Sequence, residues 1–268
     1  MKIILSRKGF DDKYGGIASP IFEDGTMLSL PIPPKEDKVY YKDLSHNGVS
    51  YLDTIKSLNP KTKIKDNYTC HLDPDIRKDI TKRSNSWKPL FGQSGSALGH
   101  LNNEKIKVDD IFLFFGTFKH TTKENSPPKY RPKAKKEHII YGYFQIGKIH
   151  RMDSGIPERY NYHPHANKEK YKNPNYIFEA SDKLSIMSEY NGSGNFKFND
   201  KLVLTKPGLN KSHWDLPEFF KDTTITYHKK DSWTPEYFQS TGRGQEFVIN
   251  PTDKIIDWTK DIIKTGMN

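Results

Sequence analysis

The stretch from residue 105 to residue 150 constrains the fold more than any other part of the chain. Residues 111–118 form an apolar and aromatic run that is too short for an ordinary helix and follows a pair of aspartates, as a buried strand does. Residues 138–149 contain the β-branched and aromatic residues typical of a partner strand. Their glycines, Gly142 and Gly147, suit a bend of a barrel strand or the close approach of a ligand. We predict that the two runs pair as an antiparallel hairpin.

Between the two runs, residues 119–137 carry seven basic residues against two glutamates, and three prolines block regular secondary structure. We predict a basic, mobile arm that projects from the hairpin and contacts nucleic-acid phosphates. The residues assigned to this contact are Lys129, Arg131, Lys133, Lys135 and Lys136.

Length and composition favour one domain, residues 1–268, with a core centred on the hairpin and decorated by helices and long loops. The hydrophobic fraction is only 34%, but aromatic residues make up 13%, so Phe, Tyr and Trp can build the core. The net charge of +10 favours nucleic acid or another polyanion as the partner.

The single cysteine, Cys70, excludes an intramolecular disulfide and a zinc site built from cysteines. The first residues have too few consecutive apolar positions for a signal peptide, and no apolar run is long enough to span a bilayer. We therefore expect a cytoplasmic protein that does not cross a membrane.

Two polar segments follow short apolar runs and are candidates for a ligand site. Arg7 stands at the end of a predicted first strand, where it would contact a ligand or simply be solvated. His71, Asp73 and Arg77 lie within seven residues and could bind a divalent metal, serve as acid and base, or clamp a phosphate. Alternatively, Asp73 caps a short helix.

The glycine-rich residues 87–101 match neither a P-loop nor a dinucleotide fingerprint. We expect a loop around Gln93 that leads into a short helix beginning at Ser94 or Ser96, whose free backbone N–H groups can receive an anion. Gln93 is a candidate ligand contact. His100 is a second one, although a histidine on such a helix is more often packed or hydrogen-bonded.

Residues 242–246 read Gly-Arg-Gly-Gln-Glu and precede an apolar strand. Arg243, between two glycines, can bind a phosphate or the edge of a nucleobase, and Gln245 can hydrogen-bond to adenine. Glu246 can accept from a cytosine amino group or act as a catalytic base. The alternative is a tight turn that buries an ion pair of Arg243 with Glu246.

The pair His163 and His165 offers two metal ligands without a clear third. A polar loop on a basic face is the simpler interpretation, and we assign no metal ligands. The sequence also indicates no particular cofactor or oligomeric state.

Five stretches of the sequence together resemble the bacterial and phage family called nucleotide modification associated domain three, and the similarity runs nearly end to end. The resemblance implies a role near enzymes that modify DNA bases and specifies no reaction. The stretches are Ser-Arg-Lys-Gly-Phe-Asp11, Ser19-Pro20 with Leu-Ser-Leu-Pro-Ile-Pro33, His-Leu-Asp-Pro-Asp-Ile-Arg77, Phe-Gly-Gln-Ser-Gly-Ser-Ala-Leu-Gly-His-Leu101 and Gly-Arg-Gly-Gln-Glu-Phe247.

The hairpin of residues 108–116 and 139–149 separately resembles the central hairpin of PUA-like barrels, the group that includes ASCH and EVE domains. Those modules hold RNA or a modified base in an aromatic-lined pocket. The resemblance implies an α+β fold with a PUA-like mixed β-barrel core. This chain is about twice the length of a minimal barrel of that group.

Three hypotheses follow. In the first, the protein binds a nucleotide or an extruded base, in DNA more than in RNA, through Arg7, Gln93, Arg243 and Gln245. In the second, it is a hydrolase or transferase acting on that ligand, with His71, Asp73 or Glu246 as acid or base and Arg77 and Arg243 on phosphate. In the third, it is a basic scaffold that touches nucleic acid nonspecifically.

Overall fold

The computed structural model describes residues 1–33, 36–122, 128–171 and 174–268, which form a mixed α+β fold with one large sheet. Its helices are α1 (Tyr51–Leu58), α2 (Gly95–Asn103) and α3 (Asp253–Met267). Its strands are β1 (Ile3–Arg7), β2 (Ser19–Ile21), β3 (Val39–Tyr40), β4 (Ser45–His46), β5 (Val49–Ser50), β6 (Thr69–Cys70), β7 (Leu90–Ser94), β8 (Ile111–His120), β9 (Glu137–Arg151), β10 (Asn175–Ala180), β11 (Lys183–Leu184), β12 (Met187–Asn191), β13 (Ser193–Asn195), β14 (His213–Trp214), β15 (Phe238–Gln239) and β16 (Glu246–Ile249).

The predicted central hairpin is confirmed. Strands β8 and β9 pair antiparallel from Ile111 opposite Gln145 to Phe118 opposite Glu137, with a bulge between Phe114 and Phe115. The first eight residues of β8 are buried, because the sheet is covered on both faces at this position. The apolar run in the sequence is therefore the centre of the sheet.

The large sheet has the strand order β16, β1, β8, β9, β10, β7, with β2 added to β8 and β13 added to β9. Strand β1 pairs parallel with β8 and antiparallel with β16, so the sheet is mixed. Among the described residues, no pairing joins the outer strands β16 and β7 into a closed barrel. The prediction of an α+β fold with a mixed sheet is confirmed, whereas the PUA-like barrel is not.

Aromatic side chains fill the core beside the hairpin, as the composition predicts. Phe91 of β7 contacts Phe112 and Phe114 of β8 edge to face and stacks on Phe178 of β10, with ring centroids 4.9–5.7 Å apart. Fully burying a Phe side chain contributes about 1.5–3 kcal/mol. This packing fixes β7 against the sheet, and the polar end of β7 is thereby held in place.

The local structure of three polar segments differs from the predictions. Residues 71–77 contain no helix, so Asp73 is not a helix cap. Gln93 lies in strand β7 instead of a loop, although α2 begins directly after it at Gly95. The pair His163 and His165 is buried beside a short 3₁₀ turn, so the interpretation as a polar surface loop is wrong.

The described part of the basic arm is tied to the body of the protein. Arg131 donates its backbone N–H to the His120 carbonyl at 2.9 Å, and the Tyr130 hydroxyl donates to the Ala18 carbonyl. Residues 123–127 of the predicted arm, with Lys123, lie outside the described residues. In the described part of the chain, no helix has the length and apolar character needed to cross a bilayer.

Candidate functional site

One cavity of about 780 Å³ opens where strands β1 and β7 end and strand β16 begins. Polar side chains from several distant segments line it, together with the first turn of α2. Among the residues predicted as acid or base, His71, Asp73 and Glu246 all contribute to its wall. Among the predicted ligand contacts, Arg7, Gln93, His100 and Gln245 do so as well.

Glu246 lines the cavity and is only 1% exposed. Strand β16 pairs with β1 so that Glu246 lies opposite Ser6, and the side chain of Lys8 reaches it from the end of β1. The Lys8 Nζ donates to Glu246 Oε1 at 2.8 Å, and the Gln93 Nε2 donates to the same oxygen. The alternative pairing of Glu246 with Arg243 is therefore wrong.

A cluster of two histidines and one carboxylate forms another part of the wall. The Nε2 atoms of His71 and His165 each lie 3.9 Å from Asp73 Oδ2. One potential ligand atom from each of these three residues lies within 4.8 Å of the others. His71 and His165 belong to separate sequence motifs, and the fold brings them together.

Hydrogen bonds to the opposite ring nitrogens orient both imidazoles. The Nδ1 of His71 lies 2.9 Å from Asp37 Oδ2, and the Nδ1 of His165 lies 2.8 Å from Asn175 Oδ1. Asn175 Nδ2 donates to the His165 carbonyl, which turns Oδ1 toward the ring. Because a carboxylate and an amide oxygen only accept, Nδ1 carries a proton in both rings, and in the neutral tautomer that this selects Nε2 is the nitrogen with the lone pair.

Asp37 is buried and is shared between two donors. Its Oδ1 accepts from Lys170 Nζ at 2.6 Å while its Oδ2 faces His71. Burial by itself raises the pKa of Asp37, but the hydrogen bonds from His71 and Lys170 outweigh it and lower that pKa. The Tyr171 hydroxyl lies 3.1 Å from the same His71 nitrogen, and burial raises the pKa of Tyr171.

Asp73 is held in an environment that favours its charged form. Burial is the largest single influence and raises its pKa, but the interactions with the neighbouring imidazoles, His163 first, outweigh it and lower the pKa to about 2. Asp73 Oδ1 accepts the Gly92 N–H at 2.7 Å and lies 3.3 Å from His163 Nε2. Burial lowers the pKa of His165 to about 3, so Asp73 is charged and His165 neutral near pH 7.

Only a glycine fits at position 92, because the His165 ring occupies the space that a side chain would need. A Cβ built on Gly92 would lie 2.3 Å from His165 Cδ2. The His165 ring is also stacked on Tyr171, with centroids 4.4 Å apart and planes 18° from parallel. The position of this imidazole is therefore fixed by both contacts.

Asp75, two residues from Asp73, stabilises the structure and does not reach the cavity. Its buried carboxylate accepts from Arg83 through both terminal guanidinium nitrogens, from Trp87 Nε1 at 3.1 Å and from the Tyr162 hydroxyl at 2.9 Å. Its backbone pairs with Leu90 of β7 in both directions. This network anchors the segment that carries Asp73 to the edge of the sheet.

The arginines predicted as ligand contacts differ in their positions. Arg77 pairs with Asp79 and donates to a backbone carbonyl at 3.2 Å, and it does not line the cavity. Arg243 is exposed and also lies outside the lining. Arg7 lines the cavity, but its Nη2 donates to the carbonyls of Gly242 and Gly244 at 2.9 and 2.6 Å. Its guanidinium therefore holds the glycine loop against β1.

The predicted phosphate contacts of the basic arm are all exposed and lie outside the cavity wall. Lys136 forms an ion pair with Asp12, which lines the cavity. Asp12 also pairs with Lys211, and hydrogen bonds from both lysines lower the pKa of Asp12 to about 2. The end of the arm therefore meets the rim of the cavity.

Sequence analysis missed several residues of the cavity. Lys8 was not among the predicted site residues, yet its side chain is only 9% exposed and its ammonium lies beside Glu246 and over the Phe91 ring. Tyr14 and Tyr227 line the cavity and are 44% and 49% exposed, although most large hydrophobic side chains are buried. In both His71-Leu-Asp73 and His163-Pro-His165, two potential metal ligands are separated by a single residue. This shared pattern was the sequence signal that could have indicated a common site.

The family model of nucleotide modification associated domain 3 matches residues 2–250. The matched residues include every segment that lines the cavity. No curated protein and no solved structure matches the chain. The chain belongs to the nucleotide modification associated domain 3 family, which links it to nucleotide modification.

Proposed function

We propose that this protein binds a nucleotide or an extruded, modified base in the cavity between β1, β7 and β16. The observation that carries the proposal is the convergence of Arg7, His71, Gln93 and Glu246, from four distant segments, on one cavity of about 780 Å³. That volume lies in the range of small-molecule sites, about 300–1,000 Å³. A scaffold that binds nucleic acid nonspecifically has no need for such a convergence, so this hypothesis is disfavoured.

Exposed aromatic rings in the wall suit the stacking of a base. Tyr227 is the most exposed large hydrophobic residue among those described, and its ring packs on His100 with centroids 4.5 Å apart. Tyr14 offers a second ring of similar exposure. Stacking of this kind tolerates different bases because each has a π face, so amide and carboxylate groups such as Gln93 and Glu246 would select among them.

The phosphate of such a ligand would be held by the first turn of α2 and by the basic residues of the rim. Ser96 and Ala97 line the cavity at the N-terminal end of α2, where backbone N–H groups lack helical partners. Lys211 lines the same cavity, and Lys136 extends the positive charge onto the basic arm. An oligonucleotide strand could follow this surface, with DNA as the preferred polymer.

Equilibrium binding tests this proposal. The ligands are nucleoside monophosphates and short single-stranded oligonucleotides with normal and modified bases, titrated by calorimetry. Tyr227→Ala should weaken binding by about 1–3 kcal/mol, or roughly 5- to 150-fold, because one stacked base is lost. Tyr40→Ala is the control, since Tyr40 is 37% exposed and lies outside the cavity wall. Equal affinities of the two variants would contradict the proposed site.

A second candidate function is an enzyme, a hydrolase or transferase, acting on the same ligand. The buried Glu246 favours it, because a carboxylate at 1% exposure in the same cavity as a histidine cluster is more than a binding groove requires. Incubation with the same ligands followed by liquid chromatography would reveal a product. Glu246→Gln should then abolish turnover and leave affinity within a few-fold, whereas the exposed Glu236→Gln should change neither. A Glu246→Gln variant with full turnover would remove this residue from the chemistry.

A further inference from the structure

We propose that His71, Asp73 and His165 bind one divalent transition-metal ion at the wall of the cavity. Two imidazole nitrogens and one carboxylate oxygen are the donor set of many mononuclear sites that keep positions open for water or substrate. The inference goes beyond nucleotide binding and does not depend on it, because metal binding is measured without any nucleotide.

The distances fit an ion with a small adjustment. Two atoms that each bind a tetrahedral ion at about 2.0–2.1 Å lie roughly 3.3 Å apart. The His71 and His165 Nε2 atoms lie 3.9 Å from Asp73 Oδ2, which is too long for a hydrogen bond and about 0.6 Å wider than this spacing. A shift of Asp73 Oδ2 toward the His165 ring, together with a rotation of the His71 ring, which is 13% exposed, would close both gaps.

The surrounding hydrogen bonds are those that a metal site requires. A metal-binding histidine usually donates its other ring N–H to a carboxylate or a carbonyl oxygen, which fixes the tautomer that coordinates. Asp37 holds His71 in this way at 2.9 Å, and Asn175 holds His165 at 2.8 Å. Asp73 Oδ1 is engaged by the Gly92 N–H, so Oδ2 is the oxygen left for an ion.

The site also has access to solvent and space for further ligands. All three residues line the cavity, so an ion could enter from it. Because the protein supplies three donors, the remaining positions would face the cavity and receive water or an oxygen of the bound ligand. Asp37 and Asn175 are positioning residues, since they act on the ion only through the two imidazoles.

Metal titration of the full chain tests this inference. The purified protein is stripped with a chelator and titrated separately with Zn²⁺, Mn²⁺ and Co²⁺, and bound metal is measured by elemental analysis and by the visible absorption of Co²⁺. We expect one tightly bound ion per chain. His71→Ala and Asp73→Asn should each lower the affinity by more than about 100-fold. The control His213→Ala removes another half-buried histidine, which stacks on Tyr237, and should not change the affinity.

The positioning role has its own readout. Asp37→Asn should keep one ion per chain and lower its affinity by about 10- to 100-fold, because the ligand remains but its orientation is lost. Circular dichroism of each variant establishes that it is folded before the titration. A stripped wild-type chain that takes up less than one tenth of an equivalent would overturn the inference. The same holds if folded His71→Ala and Asp73→Asn chains bind the ion as the wild type does.

Discussion

Replacing Gly92 by alanine is the most direct way to perturb the histidine cluster without removing any of its polar groups. The new Cβ would lie 2.3 Å from His165 Cδ2, whereas ordinary contacts of a Cβ begin near 3.4 Å. The imidazole must therefore move by about 1 Å, or β7 must yield. The ring cannot retreat freely, because Tyr171 is stacked on it at 4.4 Å.

The expected magnitude follows from the cost of overpacking a buried site. Inserting a methyl group where none fits costs about 1–3 kcal/mol. A chain of this size loses roughly 2–4 °C of melting temperature per kcal/mol, so Gly92→Ala should melt about 2–12 °C below the wild type. Domains have stabilities of about 5–15 kcal/mol, so the variant should still fold.

Gly99 provides a matched control in the same region of the chain. It lies in the interior of α2, and no atom lies within 4 Å of a Cβ built there. Gly99→Ala should therefore raise the stability by up to about 1 kcal/mol through helix propensity. Thermal unfolding followed by circular dichroism measures both variants. If Gly92→Ala melts within 1 °C of the wild type, the packing of His165 on β7 is not as described.

Three further predictions concern stability and charge. Arg83→Met should lower the free energy of unfolding by about 3–5 kcal/mol, because it leaves the Asp75 carboxylate buried with neutral donors only. The control Lys88→Ala removes an exposed ion pair and should lower it by less than about 1 kcal/mol. Similar losses for the two variants in urea unfolding would refute this prediction. Burial lowers the pKa of His138 to about 3, so between about pH 6.5 and 3 this histidine is protonated in the unfolded chain but not in the folded one. The free energy of unfolding therefore falls with falling pH in that window, and His138→Gln should make this fall less steep. An unchanged pH profile would argue against a neutral, buried His138. Neutralising four basic-arm residues should lower the slope of log affinity for duplex DNA against log salt by about 3.6, and an unchanged slope would exclude the arm from the interface. The four substitutions are Lys129→Ala, Arg131→Ala, Lys133→Ala and Lys135→Ala.

Local patterns in the sequence predicted the elements whose formation depends on their own residues. The apolar run of β8 and the β-branched run of β9 predicted the hairpin, because a strand buried on both faces needs a continuous apolar segment. The isoleucines of α3 recur at helical spacing, and Ile255, Ile262 and Ile263 are buried on one face of the helix. The glycine-rich segment predicted α2 but not β7. The apolar run before Gln93 is too short for its pattern to distinguish a strand from a loop.

The histidine cluster could not be predicted in this way, because it depends on which strands pair. Strand β10 pairs with β7 so that Asn175 lies opposite Ser94. Asn175 is hydrogen-bonded to His165, and Gly92 of β7 is hydrogen-bonded to Asp73, so this pairing brings His165 next to Asp73. Lys8 reaches Glu246 only because β1 pairs with β16.

The sequence by itself therefore determined the aromatic core, the hairpin, the basic charge and the membership of a family linked to nucleotide modification. The tertiary structure decided which of the polar segments share a cavity and which arginines, such as Arg77 and Arg243, do not. The physical reason is that apolar periodicity encodes burial within one element, whereas contacts between distant segments depend on strand order and register.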